Sequence, residues 1–186
     1  MYFDDIKVGM KTEIAPAHIE KKKMIDFALD YDNIPLHTDE EYAKSTPFGK
    51  LLAPGVMSFL VVWAKYLEVD FFGEELLAGK STKIEWHKPV FADDVLTASA
   101  EVTKAVQRNP KNGLVEITIE AYNQHGELVL TNVTDDITLP FSIKTSQPEQ
   151  YTSPVYPASK HVAEILFLIY VPPSCFLEFK SNCTFF

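Results

Sequence analysis

Asp32-Asn33-Ile34-Pro35-Leu36-His37 puts a carboxylate and an imidazole on either side of a proline turn, and Phe48-Gly49 and Ala53-Pro54-Gly55 follow closely. An acid and a base that hold one water between them can activate it. Backbone N–H groups opening a helix at Gly55 can polarise a carbonyl placed beside that water. Together these are the parts needed to add water across a double bond conjugated to a carbonyl.

The segments around these residues are expected to position them. Residues 19–29 read as a short amphipathic helix with Met24, Phe27 and Ala28 on one face, and this helix delivers the chain to Asp32. Pro35 breaks the run, Asp39-Glu40-Glu41 suits the acidic first turn of another short helix, and Pro47-Phe48-Gly49 is a loop. From Gly55 to Leu67 the chain is apolar nearly all round, which predicts a helix enclosed on most sides and too short to span a bilayer. After Gly79 the period changes to two. Thr82, Ile84 and Trp86 alternate with charged or polar residues, as do Leu96, Ala98, Ala100 and Val102. Val115, Ile117, Ile119 and Ala121 form a third run, entered through Asn112-Gly113, and residues 127–139 supply a further strand. One buried helix and a long meander predict an α+β fold in which an antiparallel sheet curls around that helix.

Composition narrows the function. The 186 residues are 46% hydrophobic and suit one domain better than two. A net charge of −9 with Arg108 as the only arginine argues against a nucleic-acid partner, because phosphate binding needs clustered Lys and Arg. The first 140 residues hold all of that charge, whereas residues 141–186 balance three lysines against three glutamates. Five prolines and no periodic pattern mark residues 141–186 as an appendage without assigned chemistry. No basic region followed by an apolar run opens the chain, so a cytoplasmic protein without a membrane partner is expected. Cys175 and Cys183 read as free thiols.

With these motifs in order and spacing, residues 3–140 resemble the MaoC-like family of hotdog-fold hydratases and dehydratases, which includes the (R)-specific enoyl-CoA hydratases. Asp32, Pro35, Leu36, His37, Asp39, Ala43, Phe48, Gly49 and Gly55 match the hallmark, and residues 86–96 look like its second recurring stretch. The likeness implies a hotdog domain over residues 1–140. It implies reversible hydration of a trans-2-enoyl thioester carried by CoA or acyl carrier protein, with Asp32 and His37 catalytic and Gly55 N–H on the thioester oxygen. No metal or redox cofactor is implied, and the family implies a homodimer or higher homo-oligomer. Three departures stand out: Tyr31 replaces a glycine and is expected to narrow the acyl pocket, Ile34 replaces an asparagine, and Pro54 replaces a histidine.

Plainer readings stand beside these. An Asp five residues before a His is, taken alone, usually a turn acid and a surface imidazole. Gly55 equally suits close packing, Asp39 suits a helix cap, and Lys21-Lys22-Lys23 suits a solvated face that a CoA phosphate could also use. His18, His87, His125 and His161 lack paired ligand spacing for a metal. Two other functions compete: a non-catalytic acyl-thioester binder, which Ile34 favours, and a hotdog thioesterase, which usually wants an acid on the central helix. From Gly55 to Leu67 that helix carries none.

Overall fold

The computed structural model describes residues 1–139; the expectations for residues 141–186, including Cys175, Cys183 and His161, lie outside the described residues. Strand β1 (Lys11–His18) leads into helices α1 (Lys21–Tyr31), α2 (Pro35–Thr38), α3 (Glu40–Ser45) and α4 (Gly55–Glu68). Strands β2 (Leu76–Trp86), β3 (Val95–Asn109), β4 (Asn112–Tyr122) and β5 (Leu128–Thr138) follow. The five strands form one antiparallel sheet in the order β1-β3-β4-β5-β2, which leaves β1 and β2 at the edges.

The alternation that predicts the strands sets their faces. Leu96, Ala98, Ala100 and Val102 of β3 and Val115, Ile117, Ile119 and Ala121 of β4 are buried, and with Met57, Val62 and Tyr66 of α4 they belong to one core. This is the α+β hotdog arrangement expected, a sheet packed on one principal helix. Helix α4 departs from expectation in one respect. It buries Met57, Ser58, Leu60, Val62 and Tyr66 but leaves Val56 and Leu67 exposed and Phe59 and Trp63 half-buried against the core, an apolar stripe that the described residues cover only in part. An apolar circumference therefore does not mean enclosure within this one chain.

Two strand boundaries differ from the pattern reading. The β3–β4 turn is Pro110-Lys111, and Asn109 accepts from the N–H groups of Lys111 and Asn112 through its side chain. Gly113 lies inside β4, where the Phe3 ring occupies the place of a side chain, so close approach rather than a turn requires the glycine. Strand β2 begins before Gly79 and carries irregular register on both sides of it, a common property of edge strands.

Local chemistry fixes the helical segment. Pro35 occupies the first position of α2, where its missing N–H costs nothing. The Asp39 carboxylate accepts from Glu41 N–H at 2.9 Å and Tyr42 N–H at 3.0 Å, capping α3 as its sequence position suggests. Lys21, Lys22 and Lys23 pair with Glu40, Asp26 and Glu20, so that charged run is a solvated face laced by ion pairs.

Candidate active site

Asp32 is the residue at which α1 ends: its N–H donates to Ala28 O at 2.9 Å, and its carbonyl accepts from Ile34 N–H at 2.8 Å. That tight bend turns the chain into α2, where His37 is buried at 5% exposure. Leu52 N–H donates to Leu36 O, Ala53 N–H to Val90 O at 2.8 Å, and Ala92 N–H to Leu51 O at 3.2 Å, so residues 51–53 are strapped between α2 and the turn before β3. Asp94 braces that turn from a buried position, accepting from Phe91 N–H and from Gln124 Nε2, each at 2.8 Å.

The strap determines the histidine's chemistry. His37 Nδ1 lies 2.7 Å from Leu52 O, and because a carbonyl only accepts, Nδ1 carries the hydrogen. In the neutral ring Nε2 is then the atom with the free lone pair. It faces Asp32 Oδ2 at 3.4 Å, longer than a charge-assisted hydrogen bond and open to the half-exposed Asp32 side of the pair. A base atom of fixed tautomer and a carboxylate are thus brought together, which is the convergence the sequence motif requires.

Beside His37 is a cleft of about 330 Å³ whose walls include His37, Phe48, Gly55, Ser58, Trp86 and Val90 but not Asp32. Gly55 is the first residue of α4, so its N–H has no carbonyl partner within the helix and lies at the positive end of the helix dipole. The packing reading of Gly55 also holds. Trp86 Nε1 donates to Gly55 O at 2.9 Å, and a Cβ on residue 55 would sit 2.9 Å from the indole.

Several functional candidates were given no role by the sequence. Trp86 reads as an apolar strand position at the start of the second recurring stretch, and only the fold shows its indole laid across the start of α4. Ser58 is buried inside the apolar run and donates to Pro54 O at 3.2 Å while lining the cleft. A serine in such a run was the available signal. His87 lines the same cleft and lies 2.9 Å from Thr131 Oγ1. Tyr31, in contrast, is half exposed against Phe27 and is not part of the cleft wall. Ile34 is exposed and caps α2 with its backbone alone. Glu68, the acid that ends α4, is held by Lys65 at 2.7 Å, thirteen residues from Gly55.

Residues 7–132 match the model of the family described as FAS1-like, dehydratase domain region. The chain belongs to that family. The uncharacterized protein YdeM of Bacillus subtilis is 26% identical over 125 residues, covering 67% of this chain and 89% of YdeM. The (R)-specific enoyl-CoA hydratase of Rhodospirillum rubrum is 30% identical over 105 residues, covering 56% of this chain and 72% of the hydratase. The solved structure of a MaoC-like dehydratase, also from Rhodospirillum rubrum, superposes with a TM-score of 0.69 at 23% identity over 75% of this chain and 97% of that one. At that identity the last likeness shows the fold alone, and the fold is the MaoC-like hotdog. No helix among the described residues is long and apolar enough to cross a membrane.

Proposed function

We propose that this FAS1-like dehydratase-region protein hydrates trans-2-enoyl thioesters, and dehydrates 3-hydroxyacyl thioesters in the reverse direction, on CoA or an acyl carrier protein in the cytoplasm. The supporting observation is the pair itself: an imidazole whose Nδ1–H is fixed on Leu52 O and whose Nε2 faces Asp32 at 3.4 Å, beside a cleft that the start of α4 shares. In this reading a water to one side of the pair hydrogen-bonds to both Nε2 and the Asp32 carboxylate. His37 Nε2 takes one of its protons as the oxygen bonds to the β-carbon, and the double-bond electrons move onto the thioester oxygen. Gly55 N–H, aided by the helix dipole, stabilises that developing negative charge. The imidazolium formed is stabilised by Asp32, and its proton goes to the α-carbon as the enolate collapses, leaving the 3-hydroxyacyl thioester. Atoms and charge balance without a metal or redox cofactor.

The same reading includes assembly. The partly covered Val56, Phe59, Trp63 and Leu67 stripe of α4 and the exposed edge strand β2 support a homodimer or higher homo-oligomer, since large apolar side chains ranged along one helix face favour a partner. Loss of enoyl absorbance when purified protein meets crotonyl-CoA tests the activity, with Asp32→Asn and His37→Ala as controls that keep the fold. No turnover with enoyl thioesters of any length, on either carrier, would leave a non-catalytic acyl-thioester binder.

A further inference from the structure

A second cleft, of about 270 Å³, adjoins the first at the turn that follows β2. Its walls include Lys50, Lys88, Phe91, Asp94, Gln124 and Glu127, and Lys88 and Pro89 line both this cleft and the one beside His37. None of its lining residues belongs to α4 or to strand β2, so it is built from neither of the surfaces assigned above to a second copy.

The two clefts differ in chemistry. Around His37 the wall is largely apolar, with Phe48, Leu52, Trp86 and Val90, and suits an acyl thioester. The second cleft is edged by two ammonium groups, and its acids are already engaged. Asp94 accepts from Phe91 N–H and Gln124 Nε2, and Glu127 accepts from Lys88 Nζ and, at 2.9 Å, from Asn123 Nδ2. Lys88 gives Glu127 one of the three donors an ammonium carries. The Lys50 ammonium has no carboxylate partner among the described residues and lies 4.1 Å from the centre of the Phe91 ring, a contact that places it without neutralising it. The strap fixes that placement too. Leu52 bridges to Phe91 and Ala92 N–H donates to Leu51 O, so the segment that orients His37 through Leu52 O also carries Lys50 to the second cleft. On a chain of net charge −9, two cations gathered at a cleft that adjoins a reaction centre are a local attractor for an anion.

We propose that the second cleft binds the phosphate of a 4′-phosphopantetheine arm through Lys50 and Lys88, while the thioester at the other end of the arm lies in the cleft beside His37. The inference rests on the hydratase reading above and adds where the carrier is held. The phosphate is common to CoA and to an acyl carrier protein, and the arm passes from one cleft to the other over the shared wall of Lys88 and Pro89. Lysine suits the task, being a point charge on a flexible stem that can close on a phosphate.

Saturated thioesters have no double bond to hydrate, so binding is measured apart from turnover and the two readings fail separately. Butyryl-pantetheine and butyryl-4′-phosphopantetheine are titrated by calorimetry against the full-length protein. The phosphorylated form is expected to bind at least about tenfold tighter, because it adds charge-assisted hydrogen bonds. Lys50→Met and Lys88→Met should each reduce that ratio and together bring it close to one, whereas Lys50→Arg and Lys88→Arg keep it. Both lysines are exposed, so the variants should fold as wild type does, which circular dichroism checks. With crotonyl-CoA and with crotonyl–acyl carrier protein, the double Met variant should raise KM far more than it lowers kcat, and the carrier on which it does so is the source of the phosphate. A wild-type ratio near one, a ratio that survives the double substitution, or an unchanged KM on both carriers overturns the proposal. A preserved ratio without turnover refutes the hydratase reading alone.

Discussion

The two ends of helix α4 solve opposite problems. At its N-terminal end each polar group has a partner that aims it: Leu52 O holds His37 Nδ1, Trp86 Nε1 holds Gly55 O, and Pro54 O holds Ser58. What stays open there is Nε2 and the first N–H of a helix, the two places where charge would develop. At its C-terminal end Tyr66, Asp136 and Thr138 are buried with side-chain atoms that have no hydrogen-bond partner among the described residues. Burial, with Asp135 close by, pushes the Asp136 carboxyl up from 3.8 to about 7. One end spends its hydrogen bonds on orientation, and the other stores unmet hydrogen-bonding capacity.

If the N-terminal end is the chemical one, the largest effects fall there. His37→Ala and Asp32→Asn should each lower hydration of crotonyl-CoA by roughly 10²- to 10⁴-fold, the range for positioned acid–base groups, with an unchanged circular dichroism spectrum. A tenfold loss or less from both would move the chemistry elsewhere.

The C-terminal end should instead report in stability. Because Asp136 has a folded value above its unfolded one, the folded chain holds that proton more tightly. The contribution is full below about pH 4 and is lost as pH rises through about 7. A displacement of that size corresponds to on the order of 4 kcal/mol. Urea unfolding of wild type and Asp136→Asn at pH 4.5 and pH 8 should show the variant gaining relative stability at the higher pH. A constant difference between the two would mean that Asp136 is solvated in the folded state.

Gly55→Ala lies on the boundary between packing and chemistry. Its methyl would push the Trp86 indole, which is half exposed and can shift, so stability should fall by about 1 kcal/mol. Activity should fall further, by on the order of ten- to a hundredfold, because the helix start and cleft wall move together. A stability loss with unaltered kcat/KM would make Gly55 a packing residue only. Smallest is Asp39→Ala: loss of the α3 cap should cost about 1 kcal/mol or less in thermal unfolding and leave turnover near wild type.

The same contrast explains what could be read before the fold was seen. Asp32, Pro35 and His37 are close in sequence, so their convergence is a local matter of one helix end and one proline turn. The period-two runs of β3 and β4 likewise announce their buried faces. Trp86 on the helix start and Phe3 on Gly113 are contacts between distant segments, and no local pattern encodes them. The row on β5 is subtler: Asn132, Thr134, Asp136 and Thr138 alternate as a solvent face would. Only the pairing with Ile119, Ile117 and Val115 shows that this polar face is the buried one. For α4 the local pattern overreached, since uniform apolarity looks the same whether the cover comes from this chain or another.

A double-mutant cycle on Asp32 and His37 tests most directly whether they act on one shared water. If they do, the Asp32→Asn, His37→Ala double variant should hydrate crotonyl-CoA no more slowly than the worse single variant. Losses that multiply in the double variant would show two independent roles, and an inactive wild-type protein would contradict the account at its root.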